Sequence, residues 1–284
     1  MISTYWLSRI KKNYERNGII KFILNIFLFL NKILNPSNTG ELPFKYFFIK
    51  KRREIRKFAK KYLDQLDDLK IKNCGNYMLT IDKINSNSKV YSFGVGTSIS
   101  FEENLTKLKQ CKIYCYDPTS MAENWISKQS FDREKIIFNK IGIWTEDEDV
   151  KFYSQKTDDP NISGGSISNL FESDDFTLLK CQKLKTMMNE NNHSNIDLLK
   201  MDIEGVAVQV INDILNEGIY PQQIIAEFEF SENDEFDQTK FNEWSLNLQN
   251  LLSKIRSLGY KCYYLPRFTH MAFSTIEILF IKHD

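Results

Sequence analysis

Two stretches of this chain carry carboxylates to the end of an apolar run. In "LLKMDIEG" (Leu198–Gly205) the run delivers Asp202 and Glu204 just ahead of a glycine and a segment with helical spacing. In "QQIIAEFEF" (Gln222–Phe230) Glu227 and Glu229 stand two apart, and side chains two apart on a strand share a face. Acids grouped in this way favour a neighbouring cation, such as a sulfonium or a substrate amine, because it stabilises their ionised form. The plainer alternative pairs Asp202 with Lys200 and leaves Glu204 to favour a helix N-terminus through the dipole. The same acids are possible ligands for a divalent metal, which would lower the pKa of a bound hydroxyl. Their spacing matches no metal motif, and none is assigned.

A fifth acid points to a ligand of another shape. Asp117 closes "CKIYCYD" 21 positions after Gly96, which ends the run "VYSFGVG". A strand that stops at Gly-x-Gly and turns into a helix leaves no side chain between its backbone and whatever lies above the turn. In a nucleotide-binding sheet an acid at the next strand end accepts hydrogen bonds from ribose hydroxyls. The alternative for Asp117 is a helix N-cap in "DPTS". A dinucleotide fingerprint wants a third glycine, but the chain reads Gly94-Val95-Gly96-Thr97-Ser98-Ile99. Ile99 counts against a bound pyrophosphate and against a nicotinamide-dependent oxidoreductase. S-adenosylmethionine has no phosphate and needs only the Gly-x-Gly opening followed by small polar residues.

The elements that must position these groups alternate along the chain. From residue 84 on, "KVYSFGV", "CKIYCYD", "KIIFNKIGIW", "IDLLKMD" and "QQIIAEFEF" read as buried strands, with helical stretches between them. Strands joined through helices form a parallel sheet with right-handed crossovers, and its ligands sit at the carboxyl ends of the strands. After a long amphipathic helix ending at Gly259, "YKCYYL" and "AFSTIEILFI" are joined by too few residues for a parallel crossover and must pair antiparallel. "SQKTDDPNISGGSISNLF" (Ser154–Phe171) reads as a long active-site loop. His270, in the loop "FTHMAF", is a reserve proton acceptor.

Hydrophobic content of 42%, with 11 Gly and 6 Pro in 284 residues, excludes a disordered chain. Five cysteines without a Cys-x-x-Cys pair indicate neither a disulfide framework nor a zinc knuckle, and reduced thiols fit a cytoplasmic protein. The net charge of +1 conceals a division: residues 1–61 hold 15 Lys and Arg against three acids, about +12, and the rest carries about −11. "IIKFILNIFLFLNKIL" (Ile19–Leu34) is apolar at twelve of sixteen positions, yet as a helix it reaches only about 24 Å, short of the roughly 30 Å needed to span a bilayer. With the basic amphipathic stretch that follows, it reads either as a peripheral membrane contact through residues 1–66 or as helices that cap the main domain. No RNA-binding module pattern is present, so nucleic acid is not expected as a partner. The chain divides into a basic helical extension, 1–83, and an α/β domain, 84–284.

"VYSFGVGTSISFE", "CYDPT", "NKIGIWTEDEDVKFY", "IDLLKMDIEGVAVQVINDIL" and "IIAEFEF", in that order, resemble the FkbM family of S-adenosylmethionine-dependent methyltransferases. The resemblance runs from Val90 to Ile281, and "LLKMDIEG" is its most specific element. It implies a class I Rossmann-like fold: seven strands, parallel but for an antiparallel terminal hairpin. It also implies a methyl transfer to a hydroxyl oxygen, often of a sugar, glycan or macrolide. The cofactor-binding set it suggests is Phe93, Gly94, Val95, Gly96, Asp117, Gly142 and Asp202, with Asp202 near the methionine part. The catalytic candidates are Asp202, Glu204, Glu227 and His270, with Asp202 or Glu227 the first choice of base and Glu229 a further one, and Glu277 is implied to matter at the same site. Relatives often carry His two residues after the strand-five Glu, where this chain has Glu229. A catalytically silent module that keeps the sheet and attaches to membranes is the alternative function. Oligomeric state is not fixed by any of these features.

Overall fold

The protein is described by a computed structural model covering residues 44–66, 69–154, 165–169, 174–230, 237–265 and 275–283, with side chains described from residue 53 onward. His270 and the stretch Ile19–Leu34 lie outside these residues.

In chain order, helix α1 (Phe44–Tyr62) leads into a hairpin of β1 (Ile71–Cys74) and β2 (Tyr77–Thr80). A βαβαβ run follows: β3 (Lys89–Phe93), α2 (Ser100–Lys109), β4 (Lys112–Tyr116), α3 (Ser120–Ser127) and β5 (Ile136–Asn139). Short strands β6 (Gly142–Ile143), β7 (Glu148–Ser154), β8 (Gly165–Ser166) and β9 (Phe176–Gln182) come next, then α4 (Leu184–Glu190). The chain closes with β10 (Leu198–Met201), α5 (Ala207–Asn216), β11 (Gln223–Glu229), α6 (Gln238–Ser257), β12 (Tyr260–Leu265) and β13 (Thr275–Lys282).

The central sheet has seven strands in the order β12-β13-β11-β10-β3-β4-β5. β5, β4, β3, β10 and β11 run parallel to one another, and β13 is antiparallel to both β11 and β12. Every residue of β10 and β11 is buried, which is what strands covered on both faces require and why they read as continuous apolar runs. Helix α5 buries Ala207, Val210, Ile211, Ile214 and Leu215, a stripe at three- and four-residue spacing. The strand order reverses at β3 and β10, so a crevice opens between their carboxyl ends.

Two features lie outside the sheet expected from sequence. "KIIFNKIGIW" is divided: Ile136–Asn139 pairs with β4, whereas Gly142–Ile143 joins a separate four-stranded sheet, β6-β9-β7-β8. Likewise, residues before 84 share both cores with those after it. Ile55, Phe58 and Ala59 of α1 are buried in the cluster that contains α5 and α6, and the Phe58 ring lies 5.4 Å from that of Trp244. Leu79 of β2 belongs to the cluster under β3 and β4. Arg53, Arg56, Lys57, Lys60 and Lys61 face outward, so this half of α1 presents charge and keeps its apolar side against α6. Among the described residues no helix is long and apolar enough to cross a membrane. All five cysteines are buried and unpaired.

Candidate active site

A cavity of about 210 Å³ opens at the carboxyl ends of the parallel strands. Phe93, Gly94, Val95 and Gly96 line it from the end of β3, Asp117 from the end of β4, Gly142 from β6, and Asp202 with Glu204 from the turn after β10. The seven residues suggested for the cofactor therefore all line this cavity, and the glycine turn forms one wall of it. Glu227 is buried behind Asp202 and does not line it.

Local chemistry explains the shape of that wall. Gly94 has φ +76, and a Cβ there would come within 1.7 Å of the Asp202 carbonyl oxygen, so the ends of β3 and β10 approach only because a hydrogen stands at that position. Gly96, at φ +53, has nothing within 4 Å of where a Cβ would be, and its bare backbone faces open space. The Gly96 N–H donates to Asp117 Oδ2 at 2.9 Å, while Asp117 Oδ1 accepts from the Thr119 N–H at 3.0 Å and from its hydroxyl. Three of the four acceptor positions of the carboxylate are thus filled, which fixes its plane and leaves one on Oδ2 for a ligand. Thr119, and not Asp117, caps α3 by accepting from the Ala122 N–H.

The opposite wall is a turn under strain. Glu204 has φ +42, which costs a residue with a side chain about 1–2 kcal/mol, and Gly205 follows at φ +80. Ser166 of β8 donates its hydroxyl to the Glu204 carbonyl, and the Gly205 N–H donates to Glu229 Oε2 at 2.6 Å. The turn is therefore clamped from the small sheet on one side and from β11 on the other. Asp202 accepts a hydrogen bond on Oδ2 from the Tyr77 phenol. Lys200, the cation of the apolar run, turns its ammonium to the carbonyl oxygens of Phe93 (3.2 Å) and Gly94 (2.8 Å), so it braces the glycine loop and forms no ion pair with Asp202.

Behind this turn the acids crowd. Carboxylate oxygens of Asp202, Glu227 and Glu229 lie within 4.8 Å of one another, and Glu227 stands directly across from Glu277 in the β11–β13 register. Burial, and then the neighbouring Glu227, Glu204 and Asp202 charges, push the Glu229 carboxyl well above the usual range against the pull of the Gly205 N–H. The cluster thus favours the protonated form of Glu229. Glu229 Oε1 has no hydrogen-bond partner among the described residues.

Asp117, Asp202 and Glu204 line the cavity, and no Lys, Arg or His among the described residues does. A pyrophosphate would meet three acids there. S-adenosylmethionine, with its sulfonium, its ammonium and no phosphate, meets a wall of the right sign, and the bare Gly96 backbone leaves room beside it. The residues present fit this group. Of the stretch Ser154–Phe171, expected as an active-site loop, Gly165 and Ile167 line the cavity, whereas sequence reasoning missed Tyr77 and Phe152, on strands of the two small sheets.

The strand order, with one antiparallel strand between the last two others, and the glycine turn facing an acid define a class I methyltransferase. The model of the FkbM methyltransferase domain matches residues 73–262, and the chain belongs to that family. It is an S-adenosylmethionine-dependent methyltransferase. No curated protein matches it significantly. Solved structures similar to it include an rRNA methylase from Streptococcus thermophilus, 9% identical over 72% of this chain and 92% of that one, with a TM-score of 0.40. A fibrillarin pre-rRNA processing protein from Methanococcus jannaschii is 13% identical over 77% of this chain and 84% of its own, with a TM-score of 0.41. A human methyltransferase 10 domain containing protein is 9% identical, covering 83% of this chain and 84% of that one at a TM-score of 0.40.

Proposed function

We propose that this methyltransferase acts on a hydroxyl oxygen of a sugar, glycan or related acceptor. The observation that supports the reading best is the acid-lined cavity, where a proton acceptor stands beside the region suited to a cationic donor. S-adenosylmethionine supplies the electrophilic methyl group; the residues do the rest. Asp117 receives a ribose hydroxyl on its remaining acceptor position, and Asp202 faces the ammonium of the amino-acid part. A sugar hydroxyl is a weak nucleophile, so a base must take its proton as it attacks. Glu204 is the first candidate, because it lines the cavity and its backbone is clamped on both sides of the turn. Glu227, buried and next to Asp202, is the second. Phe93, Gly94, Val95, Gly96 and Gly142 shape the donor side by close backbone approach and apolar contact. His270 remains a candidate from outside the described residues. Contact with an anionic membrane surface, where it occurs, would come from this half of α1 through charge, since its apolar side is buried.

The test is methyl transfer from labelled donor to panels of oligosaccharides, lipid-linked glycans, RNA and protein, with Glu204→Gln and Glu227→Gln beside the unaltered chain. Transfer to a carbohydrate hydroxyl, lowered about 100-fold or more in one Gln variant, supports the reading. Label that enters only RNA or protein overturns it.

A further inference from the structure

Tyr77 stands in β2, in a hairpin that belongs to neither larger sheet, and yet its phenol reaches Asp202, 125 residues further along the chain. The ring is 7% exposed and is held from two directions. The Lys200 ammonium, itself anchored on the carbonyls of Phe93 and Gly94, lies 4.9 Å from the ring centroid, and Phe101 of α2 meets it edge-on at 5.5 Å.

The hairpin that carries the ring is fixed at both ends. At its turn, Gly75 has φ +59, and a Cβ there would come within 2.6 Å of the Ser100–Phe101 backbone, so the turn is seated on the start of α2. At its far end the Thr80 hydroxyl donates to the Gln223 side-chain carbonyl at 2.8 Å, and the Gln223 amide returns a bond to the Thr80 carbonyl at 3.0 Å. Tyr77 therefore rides on a rigid element, docked separately against α2 and β11. A side chain locked in this way can hold its partner in one orientation.

We propose that Tyr77 is a positioning residue for donor binding: its phenol fixes Asp202 Oδ2, so that Oδ1 is presented to the amino-acid part of the methyl donor. Among the described residues the Tyr77 phenol is the hydrogen-bond donor to the Asp202 carboxylate, and it takes Oδ2. The role of Tyr77 rests on the reading of Asp202 given under the proposed function. Without the phenol the carboxylate is free to rotate about its side-chain bonds towards the other acids behind the turn, and its contact with the ligand loosens.

Calorimetric titration of the full chain with S-adenosylhomocysteine and with methylthioadenosine tests this. The second ligand keeps the nucleoside and the sulfur but lacks the amino-acid part. Tyr77→Phe and Asp202→Asn are each expected to weaken S-adenosylhomocysteine about tenfold, the scale of one hydrogen bond to a charged group, and to leave methylthioadenosine within about twofold. The double variant should bind no more weakly than Asp202→Asn alone, because the phenol acts through the carboxylate. If Asp202→Asn weakens S-adenosylhomocysteine but Tyr77→Phe does not, the positioning role fails and the reading of Asp202 stands. If Asp202→Asn changes nothing, that reading fails and takes the role of Tyr77 with it. Equal weakening of both ligands by Tyr77→Phe, with a lowered melting temperature, marks a structural residue and also overturns the proposal.

Discussion

The two walls of the cavity carry acids of opposite temper. On the glycine side Asp117 meets three protein donors, stands alone and has a single acceptor position left. On the far side Asp202 lines the cavity, with Glu227 and Glu229 behind it and carboxylate oxygens of all three within 4.8 Å of one another. The first wall is finished before any ligand arrives, as suits recognition of a neutral ribose. The second gathers more acids, and their mutual charges together with burial favour a proton at Glu229. In the proposed reading a cationic ligand completes it, and shape on one side and charge on the other divide the work of holding a single molecule.

The sharpest way to break this division is at the seam. Gly94→Ala should abolish donor binding in calorimetry and lower the melting temperature steeply, because the methyl group would meet the Asp202 carbonyl at 1.7 Å. Gly218→Ala, at a similar φ of +73 but with nothing within 4 Å, should cost only about 1 kcal/mol.

Next in size, Asp117→Ala strands the Gly96 and Thr119 donors and would remove the proposed ribose contact. It should weaken S-adenosylhomocysteine and methylthioadenosine alike, by about 10- to 100-fold. A variant on the acid wall should separate the two ligands. A loss confined to S-adenosylhomocysteine in Asp117→Ala would merge the walls.

Glu229 gives a smaller effect with a defined sign. Its carboxyl in the folded protein lies well above the ordinary 4.5, so its contribution to stability is full below that value and fades as pH rises through the shifted one. Glu229→Gln should match the unaltered chain in melting temperature near pH 5 and exceed it at pH 9. A variant that grows relatively weaker at high pH would mean that the ionised carboxylate is the favoured form. Smallest is Ser166→Ala, which frees the Glu204 carbonyl and should cost about 1 kcal/mol in denaturant unfolding. Turnover should fall more than donor affinity there, and equal falls would place the clamp on the donor side.

Most of the parallel sheet was legible because β3, β4, β10 and β11 are buried along most of their length and print as apolar runs. The small sheet was not. β6 and β8 have two residues each, and β9 leaves Phe176 and Leu178 exposed, so composition and burial part company there. "IKNCGNYMLT" does carry a Gly-Asn turn between two runs, a hairpin signal, but each strand is four residues long and mixes polar with apolar residues. The candidate cofactor wall could be read because its residues sit at strand ends, where the chain itself announces them. Tyr77 and Ser166 act across 125 and 38 positions, and no local pattern encodes such a bond. Glu229 stood out in the sequence as the same-face partner of Glu227 and as a departure from its relatives; its bond to Gly205 exists in three dimensions alone.

The five buried thiols make the molecule its own clock. Burial lifts Cys74 to about 11 and Cys181 and Cys262 to about 12, so an alkylating reagent at neutral pH meets each as an unreactive, covered thiol until the surrounding structure opens. Cys74 sits in the hairpin beside Tyr77, Cys181 lines the cavity on β9, and Cys262 lies on β12. Pulse labelling read by mass spectrometry would time the opening of each region separately. Protection that rises at Cys181 alone when donor is added would track the filling of the site without any acceptor in hand.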